Sequence, residues 1–193
     1  MGNVKRIRKA YQGPAHPWIR SRIESEREIK REYGLKNKKE IWKMESILRN
    51  AASNAKRLIA GRSEQSKLEK EQLLARMRSM GLLTAGAKLE DILDLRIQSI
   101  LDRRLQTLVY RKGLARSMGQ ARQFITHEHI QLDGKSITAP AYIVSSEEET
   151  TVSFSPHSNL ASIEHPERVP ITKKSKPRPA PKDDRFRGRG KRT

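Results

Sequence analysis

At 193 residues, with 35% hydrophobic and 33% charged side chains, the chain can build one or two cored domains but leaves much surface to solvent or a partner. A formal net charge of +19 makes the free molecule repel itself, which points to an anionic partner: nucleic acid first, an anionic membrane surface second. No apolar run nears the ~20 residues of a bilayer span, no secretory leader pattern opens the sequence, and the lack of cysteine excludes disulfides and thiolate zinc sites, all compatible with a reducing, cytoplasmic setting.

In chain order, residues 1–18 are basic and broken by Gly13-Pro14 and His16-Pro17, the pattern of an extended arm. Residues 19–99 read as a helical domain. Ile41, Met44, Ile47 and Leu48 form one apolar stripe at helical spacing; Leu73, Leu74, Met77 and Met80 form another, stopped by Gly81. A further helix is predicted from about Lys88 through Ile92 and Leu93. Residues 100–165 form a third zone, and 166–193 a basic, proline-rich tail. With almost no large apolar side chain to offset backbone entropy, that tail is expected to be disordered when unbound.

The third zone holds the candidate site. Between Arg103 and Arg122 stand Arg103, Arg104, Arg111, Lys112, Arg116 and Arg122, with no carboxylate among them, although residues 100–168 are neutral when summed. The charges are therefore expected to be sorted in space, forming an acid-free cationic face suited to a polyanion. Two short helices, Leu101–Tyr110 and Ser117–Thr126, are predicted around a turn at Gly113. In the first, Leu101, Leu105 and Leu108 supply the apolar face. The second opens on the capping-box pattern Ser117…Gln120 and buries Ala121, Phe124 and Ile125, leaving Arg122 and Gln123 to one side. Its N-terminal N–H groups add a phosphate-friendly dipole beside Arg116. Beyond His127, the alternation of Ile130 and Leu132 followed by Asp133-Gly134 predicts a hairpin. Tyr142–Val144 and Thr151–Phe154 are further strand candidates, with Glu147, Glu148 and Glu149 on the turn between them. The expected class is α+β: a helical domain, then a two-helix platform on a small antiparallel sheet.

The stretches Arg104–Ser117, Gln120–Ile125 and His127–Lys135 resemble the S-four RNA-binding domain. Glu32–Trp42 and Leu101–Thr107 narrow the likeness to the S-four family of small-subunit ribosomal proteins in its archaeal and eukaryotic form, and the chain's ending is similar to the archaeal members. The resemblance implies a primary binder of small-subunit ribosomal RNA that nucleates assembly of the subunit body. It also implies a place near the messenger-RNA entry channel beside ribosomal protein S-five, with possible messenger contact and an influence on decoding accuracy. The implied RNA-facing positions include Arg104, Ser117, Gln120, Arg122, His127 and Lys135. Arg103, Arg111, Lys112, Arg116 and Gln123 join them from the charge pattern. The module often has Asp at position 106, Gly at 128 and Asn at 133; Gln106, Glu128 and Asp133 stand there in this chain.

Other chemistry is weaker in the sequence. His127 and His129 lack the companion ligands of a metal site, so neither a metal nor a cofactor is expected. Trp42 falls at helical spacing and reads as core; Trp18, in the arm, reads equally well as a base-stacking residue. The competing functions are an RNA-modifying enzyme or a free RNA chaperone carrying the same module. An enzyme needs a catalytic domain for which the charged helical zone looks too small.

Overall fold

The computed structural model of the chain describes residues 9, 11–162 and 165–167. Most of the predicted tail and the first residues of the predicted arm lie outside them. Helices α1 (Arg20–Glu32), α2 (Lys38–Ala60) and α3 (Glu64–Ser79) come first, followed by a 3₁₀ turn at Glu90–Ile92 and a short α4 (Ile97–Asp102). Then come α5 (Leu105–Arg111), α6 (Met118–Thr126), strands β1 (Ile130–Leu132) and β2 (Lys135–Ser136), α7 (Glu148–Thr151), β3 (Ser153–Phe154) and a 3₁₀ turn at Asn159–Ala161.

The two predicted apolar stripes enter different clusters, and α2 contributes to both. Ala51 and Ala55 of α2 meet Met77 of α3 and Ile92, with Leu73, Leu74 and Met80 packed around them. Ile41 and Met44, about two turns earlier on α2, join Tyr33, Leu35, Ile100 and Leu101 in a second cluster. The third cluster belongs to α5, α6 and the sheet: Leu105, Leu108, Val109, Ala121, Phe124, Ile125, Ile130, Leu132, Val144 and Val152 are all buried in it. The sheet order is β2-β1-β3, antiparallel throughout, with Leu132 opposite Lys135 and Ile130 opposite Phe154. Asp133 and Gly134 both take positive φ (48° and 76°), as the two-residue hairpin turn requires.

Four expectations change. The helix predicted to run through Leu101–Tyr110 is two helices. Tyr142–Val144 lies alongside residues 103–105: Val144 N–H donates to Arg103 O (3.0 Å) and Leu105 N–H to Tyr142 O (2.8 Å), and Arg104 forms a single antiparallel bridge with Ile143. Those bonds claim backbone groups that a continuous helix would use, so α4 ends and α5 restarts with Arg104 as N-cap. For the same reason Tyr142–Val144 is not a strand of the sheet. The helix predicted from Lys88 is only the 3₁₀ turn, and the three glutamates run into α7 rather than forming an open turn.

Helices α1, α3, α5 and α6 end alike. In each, the residue after the C-cap has positive φ (Gly34, Gly81, Gly113 and Glu128), and the next N–H reaches back five residues, as Leu35 to Lys30 O and His129 to Phe124 O. This is the Schellman ending, which satisfies carbonyls a helix terminus leaves open. Gly34 has a second reason to be glycine. A Cβ there would stand 2.7 Å from the Cβ of Met118, so this turn sets how closely α1 approaches the start of α6.

Candidate nucleic-acid interface

The platform helices α5 and α6 pack on each other. The apolar face of α6 is committed to the core, which leaves Arg122 and Gln123 on its outer side. At its start Ser117 Oγ accepts the Gln120 N–H (3.1 Å), the predicted cap. The Gln120 side chain turns back one residue further than a capping box would: its Oε1 accepts the Arg116 N–H (2.7 Å). Gln120 Nε2 donates to Glu167 (2.6 Å) and Arg116 Nη2 to the Pro166 carbonyl, so the chain just before the tail lies against this N-terminus. Ser117, Gln123, His127 and Lys135 are exposed.

The cations do not form an acid-free face, because folding brings in carboxylates from elsewhere. Arg104 is only 1% exposed. Its Nη2 donates to Glu40 Oε2 (2.6 Å), while Nε and Nη1 are buried without a hydrogen-bond partner among the described residues. A side chain in that position cannot present itself to a phosphate, so Arg104 is corrected from an RNA-facing residue to a buried clamp between the N-terminus of α2 and the start of α5. Arg122, 30% exposed, contacts the other Glu40 oxygen at 3.4 Å. Burial pushes the Glu40 carboxyl up, but the Arg104 hydrogen bond and charge, helped by Arg122, outweigh it and hold the group below its ordinary value.

Arg103 is 14% exposed and likewise held: Nη1 donates to Glu149 (2.6 Å) and Nη2 to the carbonyls of Val144 and Ser145. Its guanidinium also fills the space beside Gly81, where a Cβ would lie 2.8 Å from Cζ. Lys112 donates to the Glu149 carbonyl. Arg111, 54% exposed, donates to Asp102 Oδ1 (2.5 Å), which also accepts the Tyr33 hydroxyl (2.9 Å). The six cations are thus gathered at Glu40, at Asp102, at Glu149 and at the start of α6.

Magnitudes separate those that remain available from those that do not. An exposed ion pair is worth about 0–1 kcal/mol, so Arg111 can exchange Asp102 for a phosphate at small cost. Removing one partner of a buried pair costs about 3–5 kcal/mol, so Arg104 cannot leave Glu40 cheaply. Arg122 lies between these limits. Glu40 and Glu149 were missed in the sequence; they lie 64 and 46 residues from Arg104 and Arg103, and no local pattern links them.

The departures from the module's common pattern find structural roles. Gln106 is fully buried, and its Nε2 donates to Met118 O (2.8 Å) and Gly34 O (3.4 Å), tying α5 to the start of α6 and the end of α1. His127 and His129 line a concavity of about 370 Å³ with His157, Ser158 and Asn159. His129 Nδ1 lies 2.8 Å from Ser158 Oγ, a contact that fixes the ring. Among the described residues no group of three or more His, Asp or Glu is arranged to hold a metal ion, and no helix is long and apolar enough to cross a membrane.

Comparison with known proteins gives a consistent result. Residues 103–149 match the model of the S4 domain. The chain is 50% identical over 174 residues to a small ribosomal subunit protein uS4 from Methanococcus aeolicus, covering 90% of this chain and 98% of that one. It is 50% identical to the uS4 of Methanococcus maripaludis over 88% of this chain and 96% of the relative. It is 48% identical to that of Methanothermobacter thermautotrophicus over 83% and 94%.

Proposed function

Because the chain belongs to the uS4 family of small ribosomal subunit proteins, we propose that it is a structural constituent of the small subunit whose work is to bind ribosomal RNA. The observation that carries this is half identity along nearly the whole length of relatives that bear the ribosomal name. Those relatives are named as proteins of the small ribosomal subunit, and the likeness takes in the helical zone, where an RNA-modifying enzyme would need its catalytic domain. A free chaperone would not require likeness along the full length.

The binding face consists of Arg111, Lys112, Arg116, Ser117, Gln120, Arg122, Gln123, His127 and Lys135, with Arg103 and Arg104 removed from direct contact by their burial. These groups hold phosphates and the shape of a folded junction rather than reading base sequence. The arm (1–18) and tail (166–193) flank a helical domain (19–99) and the module (100–165), and add further cations for the RNA. Within the subunit the protein is an early binder that nucleates the body, next to ribosomal protein S-five at the messenger-RNA entry channel, where it affects decoding accuracy. This finer placement rests on the resemblance.

Filter binding of the full chain to a small-subunit ribosomal RNA transcript tests the reading. The logarithm of affinity is expected to fall linearly with the logarithm of salt, by about 0.7–0.9 per phosphate contact. A flat response, or sedimentation of the cellular protein away from the small subunit in a sucrose gradient, overturns it.

A further inference from the structure

Trp18 is 89% exposed, at the turn before α1, whereas the chain's other tryptophan packs on the second core cluster and donates its indole N–H to Glu26 (3.0 Å). Leaving so large an apolar ring in water is costly: burying an aromatic side chain is worth about 1.5–3 kcal/mol. The ring is also not on a loose end. Upstream, Tyr11 lies against Trp42 (ring centroids 6.1 Å apart), the Gln12 N–H donates to Ser46 Oγ (2.9 Å), and Arg49 donates to Gln12 Oε1 (2.8 Å). Downstream, α1 starts at Arg20, its first turn closed by Ile23 N–H to Ile19 O (3.0 Å). Pro14 and Pro17 stiffen the span between these two anchors.

The surroundings indicate what the ring is for. In sequence Lys5, Arg6, Arg8 and Lys9 precede the ring and Arg20 and Arg22 follow it. Arg22 is held by Glu26 and Glu45, whereas Arg20 pairs with Glu24 (2.9 Å) from a side chain 92% exposed, a weak surface pair that a phosphate can replace at small cost. An aromatic face held at a fixed point in a strongly basic stretch matches the way single-stranded nucleic acid is bound, by stacking combined with phosphate neutralisation. A docking site for another protein would surround the ring with an apolar patch. Among the described residues beside it in the chain, Ile19 is the one other exposed large apolar side chain, and Ala15, His16, Pro17 and Arg20 are exposed.

We propose that Trp18 is a stacking platform for an unpaired RNA base, with Arg20, two residues on, exchanging its surface partner for an adjacent phosphate. This rests on the RNA-binding reading above and adds a contact well outside the module at residues 103–149.

The test uses the full chain, a small-subunit ribosomal RNA transcript and an unstructured oligoribonucleotide. Tryptophan emission is followed in the wild type and in Trp18→Phe, together with affinities for Trp18→Phe and Trp18→Leu; the site is exposed, so all three should fold. Transcript binding is expected to quench the wild-type emission, with the quenched component missing in Trp18→Phe. Affinity should hold within about threefold for Phe and fall roughly tenfold or more for Leu. Quenching by the oligoribonucleotide as well means that any unpaired strand is accepted; quenching by the transcript alone means that folded ribosomal RNA presents the base. Binding without quenching, or a Leu variant as tight as the Phe variant, overturns the proposal and leaves the ribosomal RNA reading intact. A wild type that fails to bind the transcript overturns that reading itself.

Discussion

Arg104 shows how far a residue's role can differ from its charge. In sequence it is one of two adjacent arginines at the head of a basic run, and nothing local distinguishes it from its neighbours. In the fold its guanidinium is enclosed, and Glu40 faces it from 64 residues away. Replacing Arg104 by Ala is therefore expected to destabilise the protein by about 3 kcal/mol, the lower end for a broken buried pair because Arg122 still faces Glu40. For a chain of this size the melting temperature should drop by roughly 6–12 °C. Arg122→Ala should cost about 1 kcal/mol or less, its pair being longer and partly solvated. Urea denaturation of the two variants measures the difference. If Arg104→Ala melts like the wild type while losing RNA affinity, the clamp assignment is wrong.

At the scale of elements, the sequence was most readable where a pattern is local. The α2 and α3 stripes, the Ser117 cap and the Asp133-Gly134 turn each rest on contacts within a few residues, and each formed as read. The break between α4 and α5 was not readable, because it comes from Tyr142–Val144 exchanging hydrogen bonds with residues some 40 positions earlier. The helix ends fall between these cases. Gly34, Gly81 and Gly113 mark three of them openly, but at the fourth Glu128 takes φ of 63°, where an L side chain costs about 1–2 kcal/mol. The related module often has glycine at this position, and the backbone explains why. Glu128→Gly should therefore stabilise the fold by about 0.5–1 kcal/mol, the strain relief being partly offset by the greater unfolded-state freedom of glycine. Glu128→Val should destabilise it by a similar amount or more. A fall in midpoint for the glycine variant would mean that the Glu128 side chain contributes more than its backbone costs.

Over the whole molecule, the sign and size of the charge were plain in the sequence, but not its arrangement, since Glu40 and Glu149 reach the platform cations from 64 and 46 residues away and only Asp102 is near in sequence. Those contacts make stability depend on pH. Glu26 joins α1 to α2 through Trp42 and Lys38 and also pairs with Arg22 of its own helix; burial raises its carboxyl, yet these partners together hold it low, as Arg104 and Arg122 do for Glu40. Carboxylates that are more acidic folded than unfolded stabilise the fold above their ordinary value of 4.5 and lose that contribution as pH falls through the lower folded values. The denaturant midpoint is expected to be level between about pH 6 and 8 and to decline below about 4.5. Glu40→Gln, already destabilised at neutral pH, should show a shallower decline. RNA affinity separates the same charges differently. Arg111, Lys112 and Arg122 reach solvent and hold their acids or carbonyl weakly enough to exchange them for phosphates. Converting all three to Ala should lower affinity for the ribosomal RNA transcript and flatten the salt slope by about 2–3, near 0.7–0.9 for each cation lost. The melting temperature should move far less than for Arg104→Ala alone. An unchanged slope in a folded triple variant would mean that the phosphates are held elsewhere, by the arm and tail rather than the platform.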